Sequence, residues 1–196
     1  MDRLTDIADE ALRVLQDAES RRERAIRCSR DIIRETKKMI HSIHISCEEP
    51  GTKDALLGLV SELRSLADDT RLLMEIGPAN DALAEYAEAM IFDSVVKGEK
   101  IPSFSDLGID PRPWALGLAD CLGEMRRIVL ASLMAEDIQR AASMFSEMEA
   151  FFHAIMLFDV PDPILPIRRK QDIARGVMER TRTDITTAVM MSKIRC

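Results

Sequence analysis

No glycine or proline interrupts the chain before Pro50-Gly51. Apolar residues in that stretch (Leu4, Ile7, Ala11, Val14, Leu15, Ala18, then Ile26, Ile32, Ile33, Met39, Ile40, Ile43) recur at helical spacing. Met1 to about Cys47 is therefore predicted as one very long helix. At ~1.5 Å per residue, a helix of about 45 residues reaches ~68 Å, well beyond the ~20–30 Å of a small domain. Its outer half cannot be covered by the chain's own shorter helices. Either it breaks near "AESRRERA" (residues 18–25) or neighbouring copies pack on it, and self-association is expected.

The remaining glycines and prolines punctuate the rest. A second helix is expected from Thr52 to Met74, ended by Gly77-Pro78, and a third from Ala79 to Lys97, ended by Gly98. Residues 98–113, "GEKIPSFSDLGIDPRP", read as a loop with at most one short turn. A fourth helix follows from Pro113 to Met134, and a fifth from Glu136 to Phe158. "DVPDPILP" makes an extended connector before a last helix, Ile167 to Lys193, in which Gly176 is a candidate kink. No internal repeat or low-complexity tract is present.

Composition agrees with an all-α domain spanning residues 1–196. Aromatics are only 4% of the 196 residues, and strands draw on aromatic and β-branched side chains. A net charge of −7 argues against a whole-surface polyanion binder, so any nucleic-acid role must rest on local positive charge. Cys28, Cys47, Cys121 and Cys196 are scattered without a CxxC pair, which fits reduced thiols and a cytoplasmic setting. The N-terminus lacks the apolar centre of a signal peptide, and no eighteen-residue apolar run suggests a membrane span.

Positive charge gathers on the first helix. Arg27, Arg30, Arg34, Lys37 and Lys38 fall at three- and four-residue spacing and can line one face, which would track a phosphate backbone. A solvated face with pairs such as Arg27–Asp31 is the alternative. Arg168-Arg169-Lys170 is a second basic stretch with the same two readings.

The acids are more telling. Glu85 and Glu88 are three apart in the third helix, and so share a face. From Pro113 to Met125 the only charged residues are Asp120 and Glu124, four apart in an otherwise apolar helix. A helix apolar nearly all round is buried, and buried acids need compensation. Arginines such as Arg126 and Arg127, a shared proton, or divalent cations could each supply it, since hard cations prefer carboxylate oxygens. Facing Glu-x-x-Glu and Asp-x-x-x-Glu pairs suit Mg²⁺ or Mn²⁺, and a structural salt-bridge network is the alternative. His41, His44 and His153 supply no Glu-x-x-His motif of a di-iron bundle. His41 and His44 read as face or core residues rather than ligands.

At these positions the sequence resembles the translin/Trax family. "SRDIIRETKKMIHSIH" (29–44) resembles its first-helix signature, in which Ser-Arg-Asp-Ile leads to a Ser/Thr-Lys-Lys/Arg step. "LAEYAEAMIF" (83–92) resembles the Trax Gln-Glu-Tyr-Val-Glu-Ala segment, and "GLADCLGEMRRIVLASL" (117–133) its Gly-Val-Ala-Asp-Leu-x-Gly-Glu-Leu-x-Arg segment. "LPIRRKQD" (165–172) resembles a Leu-Arg-x-Lys-x-Asp stretch before the final helix. The matches run in order over nearly the whole chain.

The resemblance implies an all-α, antiparallel bundle of six or seven helices with a very long first helix. It also implies that copies close into a hollow, homo-octameric shell, that the chain binds single-stranded RNA or DNA, and that Trax-type subunits carry Mg²⁺-dependent endoribonuclease activity. The Trax carboxylates correspond to Glu85, Glu88, Asp120 and Glu124, as metal ligands and catalytic residues. Arg27, Arg30, Arg34, Lys37, Lys38, Arg126 and Arg127 are the expected nucleic-acid contacts. A non-catalytic, translin-like binding oligomer with structural carboxylates is the alternative. The short 98–113 loop resembles archaeal stand-alone members, and "EIGPANDA" (75–82) replaces the basic, aromatic segment that translin carries there.

Overall fold

The computed structural model of the chain describes residues 2–46, 51–66 and 77–194. Among these it contains six helices and no strand: α1 (Asp2–His44), α2 (Thr52–Ser65), α3 (Gly77–Lys97), α4 (Pro111–Met134), α5 (Ile138–Met156) and α6 (Arg168–Ile194). Cys47, Cys196 and the expected continuation of the second helix to Met74 lie outside the described residues. No described helix is long and apolar enough to cross a membrane.

Helix boundaries follow the local chemistry that the sequence advertises. Asp110 caps α4 by accepting the Arg112 backbone N–H at 2.9 Å, with Pro111 in the first turn, where its missing N–H is not needed. Asp137 caps α5 in the same way through the Arg140 N–H. Gly98 ends α3 at φ +66°, the left-handed conformation that closes a helix. Gly77-Pro78 opens α3, and α6 runs through Gly176 without interruption.

α1 is continuous over its 43 residues. Its two halves differ sharply. Ala25, Cys28, Ser29, Ile32, Thr36, Met39 and Ser42 form a buried stripe against the bundle. The three hydroxyls on that stripe return hydrogen bonds to α1's own carbonyls, so none is left unsatisfied. Residues 3–24 are all exposed, including Leu4 at 74% and Leu15 at 66%. The break considered at residues 18–25 does not occur, and the helix projects as an apolar-striped arm.

α3 is the centre of the bundle. It is buried almost continuously from Ala82 to Ser94, between α1 on one side and α4 on the other. Alanines at 82, 84, 87 and 89 let both neighbours approach. α4 packs in turn on α5 and α6, and α2 covers the inner half of α1. Gln171 ties α6 to the end of α5 by donating to the Ile155 and Phe158 carbonyls.

Contacts run in opposite directions along α1 and α2 (Arg24 with Glu62, Cys28 with Leu59) and along α5 and α6 (Ile155 with Gln171, Glu149 with Arg182). Along α3 and α4 they advance together. Gly117 lies on Ala84 and Glu88, while Phe92, farther along α3, packs on His44, whose ring meets Glu124. The chain therefore runs the same way along α3 and α4. The connector of about 13 residues can span up to ~45 Å, more than the ~32 Å length of α3, so it can return the chain to α3's starting end.

Gly117 sits where α3 and α4 touch. A Cβ there would overlap the Ala84 carbonyl oxygen and lie 2.7 Å from the Glu88 nitrogen and 2.8 Å from Ala87 Cβ. Gly123, on the same helix, has nothing within 4 Å of such a Cβ. Gly117→Ala is expected to cost about 1–3 kcal/mol through overpacking, lowering the thermal midpoint by roughly 3–10 °C. Gly123→Ala should be neutral or slightly stabilising, because alanine is the better helix former. Scanning calorimetry of the two variants checks this, and equal stabilities would rule out the close approach.

Candidate functional site

The helix contact at Gly117 has a direct consequence for the acids. Glu85 and Glu88 lie on the α3 side and Asp120 and Glu124 on the α4 side. Glu85, Glu88 and Glu124 line one cavity of about 350 Å³ together with Lys37, Ile40, His41 and Arg127. Asp120 is near enough for its charge to act on both Glu85 and Glu88. All four acids singled out from the sequence are thus brought together.

Their environments differ. Glu88 is 9% exposed, and its carboxyl is pushed up to about 8, first by burial and then by the charges of Asp120, Glu85 and Glu124, against a smaller opposing effect of Lys170. Glu85 is also raised, by burial, with Lys37 opposing and Asp120 adding to the shift. Among the described residues neither α3 acid has an ion pair. Both α4 acids do have basic partners. Lys170 Nζ, from the first turn of α6, donates to both Asp120 oxygens at 2.5 Å. His44 Nε2, at the end of α1, hydrogen-bonds Glu124 Oε2 at 2.5 Å, and Arg127 lies 3.8 Å from the same oxygen. The Cys121 thiol is fully buried beside the cluster and held well above its ordinary range by burial and by the neighbouring acids.

The donor set suits a hard divalent cation: four carboxylates from two touching helices, one of them buried without an ion pair among the described residues. Among the described residues no three acid, histidine or cysteine side chains stand in metal-holding geometry as arranged. Lys170 and His44 hold Asp120 and Glu124 instead.

The basic stripe is placed as the spacing predicted, on one face of α1. Arg34 is paired with Asp31 at 2.8 Å and Lys38 with Glu35 at 2.9 Å. Arg27 and Arg30 are exposed, with no ion pair among the described residues. The Arg27–Asp31 pair considered from the sequence is replaced by Arg34–Asp31. Lys37 and then His41 continue the stripe into the wall of the acid cavity. Arg127 reaches that cavity too. Arg126 does not, because its guanidinium is taken up by Thr181 and Asp184 of α6, each at 2.7 Å.

Sequence reasoning passed over three residues here. His44 looked like a face or core residue, Lys170 was one of three ambiguous basic residues, and Gly117 carried no signal beyond its place in a family segment. The partners of His44 and Lys170 lie 80 and 50 residues away along the chain, beyond any local pattern.

Fold and site together define an all-α protein whose central helices enclose a carboxylate cluster at the end of a basic stripe. No protein-family model matches the chain. An uncharacterized protein of Methanocaldococcus jannaschii is 32% identical over 182 residues, which cover 92% of this chain and 82% of that protein. The crystal structure of AfC3PO, from Archaeoglobus, is similar at 29% identity and a TM-score of 0.73, covering 94% of this chain and 97% of that one. AfC3PO in complex with duplex RNA is similar at 28% identity, with the same TM-score and coverage. Apo-NeC3PO, from Nematostella, shares the fold at a TM-score of 0.78 and 21% identity, covering 92% and 96% of the two chains. C3PO is a translin/Trax complex, and the chain belongs to the translin/Trax family.

Burial of Glu88 links stability to pH. Folding raises its pKa, so the folded state holds the proton more tightly than the unfolded chain does. That stabilisation is complete below the ordinary carboxyl value of 4.5 and is lost as pH climbs to about 8. In EDTA the thermal midpoint is expected to fall between pH 5 and 9. Glu88→Gln should flatten that fall by about 5 °C or more, at ~2–4 °C per kcal/mol. Parallel pH profiles for the two proteins would sink this assignment.

Proposed function

We propose that the chain is a Trax-like endoribonuclease that uses Mg²⁺ or Mn²⁺ to cut single-stranded RNA inside a closed shell of its own copies. The observation that carries this reading is the meeting of four carboxylates, two of them without an ion pair among the described residues, where the basic stripe of α1 ends. Glu85, Glu88, Asp120 and Glu124 would hold the metal. Held there, it would supply a water made nucleophilic near neutral pH and a positive charge to balance the one that develops on the phosphodiester.

The chain's own residues do the rest. Arg27, Arg30, Arg34 and Lys38 hold the backbone along α1, and Lys37 and Arg127 bring the phosphate to the rim of the acid cavity. Arg126 has a different task, tying α4 to α6. The apolar arm of α1 is the natural contact between copies, and an octamer is the proposed assembly. In such a shell a flexible single strand is favoured over a stiff duplex. The AfC3PO complex was solved with duplex RNA, so both forms belong in the assay. A cytoplasmic location is proposed with this function.

The ion pairs on Asp120 and Glu124 favour one rival, a binding oligomer whose acids are structural. Cleavage of end-labelled RNA of one sequence, single-stranded and duplexed, separates the two. Wild type with Mg²⁺ or Mn²⁺ is expected to cut the single strand faster. EDTA should abolish cleavage, and Glu124→Gln should reduce it by about 10²-fold or more while leaving binding intact, the order lost when a metal centre is disabled. Tight binding with no cleavage under any condition would establish the rival.

The stripe has a separate test. Replacing Arg30 and Lys37 by Gln should weaken binding of all sequences alike. It should also reduce the slope of log affinity against log salt by about 0.7 per lost phosphate contact on a single strand. An unchanged slope would place the RNA path elsewhere.

A further inference from the structure

Lys170 occupies an unusual position. It lies in the first turn of α6, directly after Arg168 and Arg169, and that turn contains no acid. The partial positive charge of a helix N-terminus disfavours cations there. What holds Lys170 is Asp120, whose two oxygens both receive its ammonium at 2.5 Å. A cation bridging both oxygens of a carboxylate occupies the position a bidentate metal would take, so ammonium and metal compete for it on Asp120. The pair is also reachable: the two side chains are 30% and 39% exposed, and exposed pairs of this kind are weak. Lysine's flexible stem lets its head swing to a nearby phosphate, and exposed Arg169 stands beside it.

From this geometry we infer that Lys170 is a tethered counter-ion that makes metal loading depend on RNA: a substrate phosphate draws the ammonium off Asp120 and releases the carboxylate to a divalent cation. The inference rests on reading the cluster as a divalent-metal centre. Lys170 acts here as a positioning residue, through Asp120. Removing it relieves the competition, so the metal binds more tightly although the enzyme gains nothing. A merely structural ion pair predicts the opposite, since losing it would loosen Asp120 and weaken metal binding. By linkage, RNA must tighten metal binding by the same factor as metal tightens RNA binding.

The test is a Mn²⁺ titration followed by the electron paramagnetic resonance of free Mn²⁺. It uses wild type, Lys170→Met and Lys170→Arg, each with and without a 2′-O-methyl phosphorothioate single strand that resists cleavage. Without RNA, Lys170→Met should bind Mn²⁺ about two- to fivefold more tightly than wild type, the range that displacing a weak exposed ion pair can return. Added RNA should tighten Mn²⁺ binding to wild type and to Lys170→Arg, and change Lys170→Met little. Equal or weaker Mn²⁺ binding by Lys170→Met overturns the inference, as does an RNA effect of undiminished size in that variant. If Lys170→Met does not fold, Lys170→Arg decides, because loss of its RNA effect with the charge retained contradicts the counter-ion role. No Mn²⁺ uptake by any of the proteins, with or without RNA, overturns the metal-centre reading itself, and the coupling falls with it.

Discussion

Everything at the site depends on how closely α3 and α4 approach. The contact is made by the absence of a side chain at Gly117 against the Ala84 carbonyl and the Glu88 backbone nitrogen, with Ala87 beside them. Helix axes usually lie ~8–10 Å apart, and small residues at the crossing set the low end of that range. At this separation Glu88, at the contact itself, faces a common space with Asp120 and Glu124, one and two turns beyond Gly117 on α4. A larger residue at position 117 would separate the helices and spread the charges. The same glycine therefore serves packing, by letting the two central helices interlock, and chemistry, by concentrating negative charge.

Four acids in one place destabilise a fold unless their charge is managed. The chain manages it in three ways. Glu88 is driven toward its neutral form, with its carboxyl near 8. Asp120 and Glu124 receive groups from the outer helices, Lys170 of α6 and His44 of α1. Lys37 and Arg127 add long-range compensation at the rim. The cluster is thus built by four helices, although its acids come from two. This arrangement explains why the acids can be grouped and yet not stand in metal-holding geometry: the α4 pair is held by protein groups, and the α3 pair is not.

The order of legibility in the sequence follows the range of the interactions. Helix boundaries were readable to within a few residues because prolines and glycines act locally, as at Gly98, although α4, capped by Asp110, starts at Pro111, two residues before the expected Pro113. The acid set was readable because a charged pair at helical spacing in an apolar helix is anomalous on its own. The direction of α4 relative to α3 was not readable, since a connector of that length permits either sense. Lys170, His44 and Arg126 were not readable either, for each is defined by a partner dozens of residues away. Nothing in "IRRKQD" distinguishes the lysine that finds Asp120 from the arginines beside it.

α1 joins the two scales of the molecule. Its inner half is amphipathic in the ordinary sense, with one stripe buried against α2 and α3 and the opposite face carrying the exposed Arg27, Arg30 and Arg34. Its outer half repeats the apolar spacing but is exposed throughout residues 3–24 among the described residues. A rigid helix couples the orientation of the two halves. Whatever covers Leu4, Ile7, Val14 and Leu15 also fixes the direction in which the basic face points. If copies of the chain cover that arm, the assembly that buries it also sets every basic stripe and acid cavity in a fixed relation to its neighbours. Enclosure of the substrate and burial of the arm are then one structural event, which ties the proposed shell to the proposed chemistry through a single element.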